Sequence, residues 1–196
     1  MPDPLSLGFD TSAAHCAAAL LSGDRVLDQR VEPMVKGQAE RLFPMLDQML
    51  TGAGLGWRDL SVIGVGTGPG NFTGIRIAIA AARGLALSLG IPAIGVSVTE
   101  AGALDLPRPC RVVIPARANQ LIWQDFGDGI DSRPQQADAD ALPPGPAPQT
   151  PAMPLAEAIA RMAVARRGNP APRPAPIYLR PADAAPARDR GPVMLS

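Results

Sequence analysis

The chain has 196 residues, 46% of them hydrophobic and 4% aromatic, with 18 basic and 18 acidic side chains and a formal net charge of +0. That length carries one large domain or two small lobes and buries a core without disulfides or metals. The balance of charge leaves no whole-molecule field to draw in nucleic acid, so a stand-alone nucleic-acid binder is not expected.

Residues 5–9 are a short apolar run ending in Asp10-Thr11-Ser12, and read as a buried strand followed by a polar turn. Residues 16–21 and 25–31 read as two further strands around Ser22-Gly23-Asp24, giving a three-stranded meander. Residues 38–50 have helical period, with Leu42, Phe43, Leu46, Met49 and Leu50 on one stripe, and Gly52 and Gly54 end them. Residues 62–65 form another buried strand, running into the glycine turn 66–70. A long helix is expected from Phe72 to Leu89, closed by Gly90, then a strand at 92–96 and a helix start at Ser97, Thr99 and Glu100. Beyond that, 111–114 and 120–126 read as strands, 143–151 as a proline-rich loop, and 154–167 as a helix. The composition changes near 105–111, which divides the chain into an N-terminal lobe at 1–104 and a shortened C-terminal lobe at 105–196.

Residues 1–10 have no basic region and no long apolar run, so a secretion signal is not expected. No stretch reaches about 18 uninterrupted apolar residues, and Arg76 and Arg83 break the nearest approach, so a cytoplasmic protein without a membrane contact is expected.

Residues 68–76, GPGNFTGIR, invite a phosphate-loop reading, but the spacing excludes one. A P-loop needs a lysine, and none lies here. The G-x-G-x-x-G fingerprint fails from Gly64, Gly66 and Gly68, whose third glycines would be Pro69, Asn71 and Thr73. What remains is a turn stiffened by Pro69, with Asn71 placed to cap a helix made slim by Gly74, Ala78, Ala81 and Ala82. Such a helix is either fully internal or shared with a partner. Phe72, Thr73 and Arg76 at its start favour an interface.

A search for chemistry returns little. His15 is the single histidine, so a hydrolase triad has no support and a metal site lacks ligands. Cys16 and Cys110 are too few and too far apart for a metal ribbon or a disulfide framework, and read as reduced, buried thiols. Asp10, Thr11 and Ser12 are the remaining candidates for a nucleotide site, because hydroxyls and backbone N–H groups in a turn can hold an anion. They can equally satisfy backbone groups of the turn itself.

The string GTGPGNFTGIRIAIAAARGLA resembles the signature segment of the TsaB family (older name YeaZ), whose members typically carry GPGSFTGLR there. LGFDTS, AERLFPMLDQML, GIPAIGVS and PIYLRPAD resemble further family segments in the same order, closely over 5–98 and patchily over 111–185. The resemblance implies an α/β, actin-like ATPase fold built from two RNase-H-like lobes, the second one reduced. It implies a non-catalytic dimerisation subunit that binds its paralogue TsaD, and with it the ATPase TsaE. That complex transfers threonylcarbamoyl to adenosine 37 of tRNAs reading codons that start with A, with tRNA met only through the complex. A homodimer through a similar surface is also implied. The implied surface maps onto Leu42, Phe43, Leu46, Phe72, Thr73, Gly74 and Arg76.

No catalytic residue, metal or cofactor is expected, although weak ATP or ADP binding is compatible with the fold. The chain departs from the family pattern at Gln38, where members often keep a histidine. It departs again at Pro115-Ala116-Arg117, where they commonly show D-A-R, and at Ile122, where they have tyrosine. The missing acid at the second phosphate turn argues against autonomous ATP hydrolysis. The rival reading is an ATP-binding enzyme or peptidase of the same fold.

Overall fold

A computed structural model describes residues 3–116, 118–130, 132–169 and 172–179. The elements run β1 (Leu5–Asp10), β2 (His15–Ser22), β3 (Arg25–Pro33), α1 (Gln38–Gly52), a short turn of helix at Trp57–Asp59, β4 (Val62–Gly66), α2 (Phe72–Leu89), β5 (Ala93–Val96) and α3 (Val98–Gly102). They continue with β6 (Cys110–Pro115), β7 (Gln120–Phe126), β8 (Gln135–Asp138) and α4 (Leu155–Arg166). The first sheet has the order β3-β2-β1-β4-β5, antiparallel through the opening meander and parallel across β1, β4 and β5. That is an RNase-H-like arrangement. The second sheet, β6-β7-β8, is antiparallel throughout.

Strand alternation divides the first sheet into two buried faces. Leu7 and Phe9 of β1, with Cys16, Ala18 and Leu20 of β2, join Leu42, Met45, Leu46, Met49, Ile75, Ala78 and Ile79 from α1 and α2. Ala17, Ala19 and Leu21 face the opposite way, onto Ala156 and Ala160 of α4. Helix α1 continues past Pro44 without a break in the helix. An interior proline costs roughly 3 kcal/mol, and the buried stripe Leu42, Met45, Leu46, Met49 and Leu50 offsets it. Helix α2 is long and apolar enough, by length and composition alone, to cross a membrane. Here its Ile75, Ala78, Ile79 and Ala82 are buried in the core.

Helix α4 packs on the first sheet although it lies beyond residue 105. Two glycines make this possible. Gly8 and Gly64 are register partners on adjacent strands. A Cβ at Gly8 would sit 2.6 Å from Ala160 N, and one at Gly64 would sit 2.7 Å from Ile159 O. Together they form a flat channel in which an alanine-lined helix can lie.

The expected bounds of α2 and β7 agree with the structure, and those of β1 to β6, α1 and α4 agree to within a residue or two at either end. Ser97 begins α3 through a reciprocal cap: its Oγ accepts from Glu100 N at 3.0 Å, and its own N–H donates to Glu100 Oε2 at 3.0 Å. Strand β8 was not expected. Its sequence, QQAD, carries no apolar alternation, and it exists as a strand because its backbone pairs with β7. In the second sheet, buried Arg111 donates to both carboxylate oxygens of Asp125, at 2.5 and 2.7 Å, and to the Pro143 carbonyl at 2.5 Å. The proline-rich loop is thereby fixed to β6.

Candidate docking site

The polar turn after β1 and the glycine turn before α2 are bonded to each other. Asp10 and Thr11 are fully buried, and Ser12 nearly so. Asp10 Oδ1 accepts from Ser12 N and Ser12 Oγ, both at 2.9 Å, and faces His15 Nε2 at 3.0 Å. Asp10 Oδ2 has no hydrogen-bond partner among the described residues. Thr11 Oγ1 donates to the Gly74 carbonyl at 2.6 Å, and Asn71 N donates to the Ser12 carbonyl at 2.6 Å. A Cβ at Gly74 would collide with the Thr11 carbonyl, and one at Gly70 with that of Ser12. These two glycines are therefore required by close approach of the two turns.

The arrangement has a chemical consequence. The hydroxyls of Thr11 and Ser12, the donors that a phosphate would need, are already engaged within the protein. The geometry is that of a brace between β1 and α2. His15 is tied into this brace through Asp10.

The cap on α2 is the expected one. Asn71 Oδ1 accepts from Gly74 N at 3.0 Å. Phe72, Thr73 and Arg76 stand exposed on the first turns, and Gly74 points inward. The Arg76 guanidinium lies 3.7 Å from the centre of the Phe72 ring. Its Nε donates to the Tyr178 hydroxyl at 2.9 Å, and Tyr178 stacks on Phe72 with ring centres 5.0 Å apart. Further along, Ala80, Arg83, Gly84 and Leu87 continue the exposed face, with Leu87 87% accessible. A shallow groove between α1 and α2 is lined by Phe43, Asp47, Trp57, Leu85 and Leu89.

One part of the expected surface needs correction. Leu42 and Leu46 are fully buried beneath α1, against the first sheet, and offer no side chain to a partner. The helical stripe on which they were read is the core stripe of α1. Phe43 is the member turned outward, 44% exposed and tilted against Trp57 at 6.2 Å. A charge placed at Leu46 would unfold the helix packing instead of cleanly removing an interface. Tyr178 was missed. It lies 102 positions from Arg76, and only the likeness of the closing segment to a family motif marked it. Of that segment, Arg180, Pro181, Ala182 and Asp183 lie outside the described residues, as does Arg117 of the second turn. Pro115 ends β6 opposite Leu121, and the hairpin closes through Ala116 N to the Gln120 carbonyl at 2.8 Å.

Comparison with known proteins agrees with this fold. The family model described as TsaD, tRNA N6-adenosine threonylcarbamoyltransferase, matches residues 31–142. The chain belongs to that family, whose fold is the actin-like α/β fold. Within it, the chain is similar to proteins named TsaB. It is 36% identical over 125 residues to an Escherichia coli protein named tRNA threonylcarbamoyladenosine biosynthesis protein TsaB. That match covers 61% of this chain and 54% of the E. coli protein, little more than half its length. An uncharacterized Mycobacterium tuberculosis protein is 34% identical over 197 residues, covering 92% of this chain and 93% of its own. The solved structure of YeaZ from Pseudomonas aeruginosa matches with a TM-score of 0.67 at 28% identity, over 90% of this chain and 100% of that one.

Proposed function

We propose that the chain is a non-catalytic docking subunit that holds a TsaD-type paralogue through the outer face of α2 and the adjoining side of α1. Relatives named for tRNA threonylcarbamoyladenosine biosynthesis support a role in that pathway. The observation that carries the docking reading is the outward face of α2. Small residues there, Ala80 and Gly84, are flanked by exposed Phe72 and Leu87 and by Phe43 of α1. A Cβ at Gly84 would meet no atom within 4 Å. A helix with a small-residue outer face lets another helix approach closely, and aromatic residues at its margin are typical of interface anchors.

In this reading TsaE and tRNA are reached only through the paralogue, whose active centre carries threonylcarbamoyl to adenosine 37. In the absence of the paralogue, the same face supports a homodimer. This reading calls for no cofactor, and the brace at Asp10, Thr11 and Ser12 uses its donors internally. Any ATP or ADP binding is correspondingly weak. The rival reading, an ATP-binding enzyme or peptidase, has no nucleophile and base in contact to support it among the described residues. Ser12 and His15 both meet Asp10 and do not meet each other.

The test is co-purification with the TsaD-type paralogue. Phe72→Asp and Leu87→Asp, both at exposed positions, should abolish the complex and leave the circular dichroism spectrum and the thermal midpoint of the chain unchanged. An intact complex in both variants rejects the surface. ATP hydrolysis by the isolated chain rejects the non-catalytic reading.

A further inference from the structure

Residues 172–179 lie as a strap against the glycine turn. Ile177 N donates to the Thr67 carbonyl at 2.8 Å. Pro174 is buried, 3.3 Å from where a Cβ at Gly95 would stand, and the Ile177 carbonyl lies 3.2 Å from where one at Gly68 would stand. The strap is thus seated against Gly68 and Gly95 of the first lobe. At its end Tyr178 stacks on Phe72 and accepts a hydrogen bond from Arg76 Nε.

We infer that Tyr178 is a positioning residue of the docking surface, and that it holds Arg76 to receive a carboxylate of the protein partner. This rests on the docking role proposed above. An exposed arginine on a helix ordinarily samples many rotamers, and fixing it costs entropy on binding. Here the guanidinium is fixed before any partner arrives: one face lies on Phe72 and Nε is bound to Tyr178. Its two Nη groups have no partner among the described residues, and the first turn of α2 contains no acid to take them. A guanidinium held with its Nη edge free matches a carboxylate in a two-bond geometry that lysine cannot reproduce.

The experiment measures the dissociation constant between the full chain and the TsaD-type paralogue by titration calorimetry, at low and at raised NaCl. The proteins are wild type, Tyr178→Phe, Arg76→Lys and the double variant. Tyr178→Phe keeps the stack and removes the acceptor. It should weaken binding by about tenfold and flatten the salt dependence, with the thermal midpoint unchanged. Arg76→Lys should do the same, and the double variant should be no weaker than either single one, since both changes remove one arrangement. Wild-type affinity and salt dependence in Tyr178→Phe, or losses that add in the double variant, overturn the inference while leaving the docking role intact. Failure of the wild-type chain to bind the paralogue overturns both.

Discussion

Replacing Gly64 by alanine separates backbone propensity from packing, because the two predict opposite signs. Within a strand, alanine is intrinsically better than glycine by roughly 0.5–1 kcal/mol. At Gly64, however, the new methyl group would stand 2.7 Å from the Ile159 carbonyl, 2.8 Å from Ile159 Cγ2 and 3.0 Å from Ala163 Cβ. Ordinary contact begins near 3.4 Å, so α4 must lift by several tenths of an ångström along a face that buries Ala156, Ile159, Ala160 and Ala163. Overpacking of this kind costs about 1–3 kcal/mol, which exceeds the propensity gain. A net loss of about 1 kcal/mol corresponds to a fall in melting temperature of about 2–4 °C for a chain of this size. Gly8→Ala strikes the same helix, 2.6 Å from Ala160 N. Once α4 has lifted for one methyl group, the second finds room, so the double variant should lose less than the sum of the single ones. Urea titration followed by circular dichroism measures all three. A Gly64→Ala variant as stable as the parent would refute the close seating of α4 on the sheet.

Asn71→Ala removes the cap of α2 and should cost about 1 kcal/mol in denaturant titration. Thr11→Val removes the side-chain donor to the Gly74 carbonyl, which keeps its helical partner, and should cost about 1 kcal/mol by the same measurement, with no change in partner affinity beyond that due to unfolding. The Cys16 thiol, pushed up to about 11 mainly by burial, should resist alkylation at neutral pH in the native protein and react once the chain is unfolded, as followed by mass spectrometry. Glu32 accepts hydrogen bonds from Arg41, which hold its carboxyl below the usual 4.5. A depressed acid stabilises the fold above its unfolded-state value and loses that contribution as pH falls through the folded one. Glu32→Gln should therefore narrow the stability difference between neutral and acid pH.

Most of the first sheet and its helices were legible because their residues carry a clear period. The Phe72–Leu89 helix announces both ends, with Asn71 before it and Gly90 after it in a left-handed conformation. The inward and outward faces of α1 were less legible. Leu42, Phe43 and Leu46 share one apolar arc, and only the packed sheet shows that Phe43 is turned away from it. Strand β8 left no trace, since its pairing is a property of the β7 backbone. The docking of α4 on the first sheet was equally hidden. Gly8 and Gly64 are ordinary strand glycines until register places them side by side. The candidate site follows the same division. The turn 68–76 stood out by its glycines, but the clasp of Tyr178 on Phe72 and Arg76 depends on contacts that no local pattern encodes.

The proposed role of the chain depends on the outer face of α2 holding a TsaD-type paralogue. Analytical ultracentrifugation of the full chain mixed with that paralogue tests it most directly, with wild type and Phe72→Asp run side by side. A defined complex is expected with wild type, and two separate folded species with Phe72→Asp. Separate species with the wild-type chain, or the same complex with the variant, would contradict it.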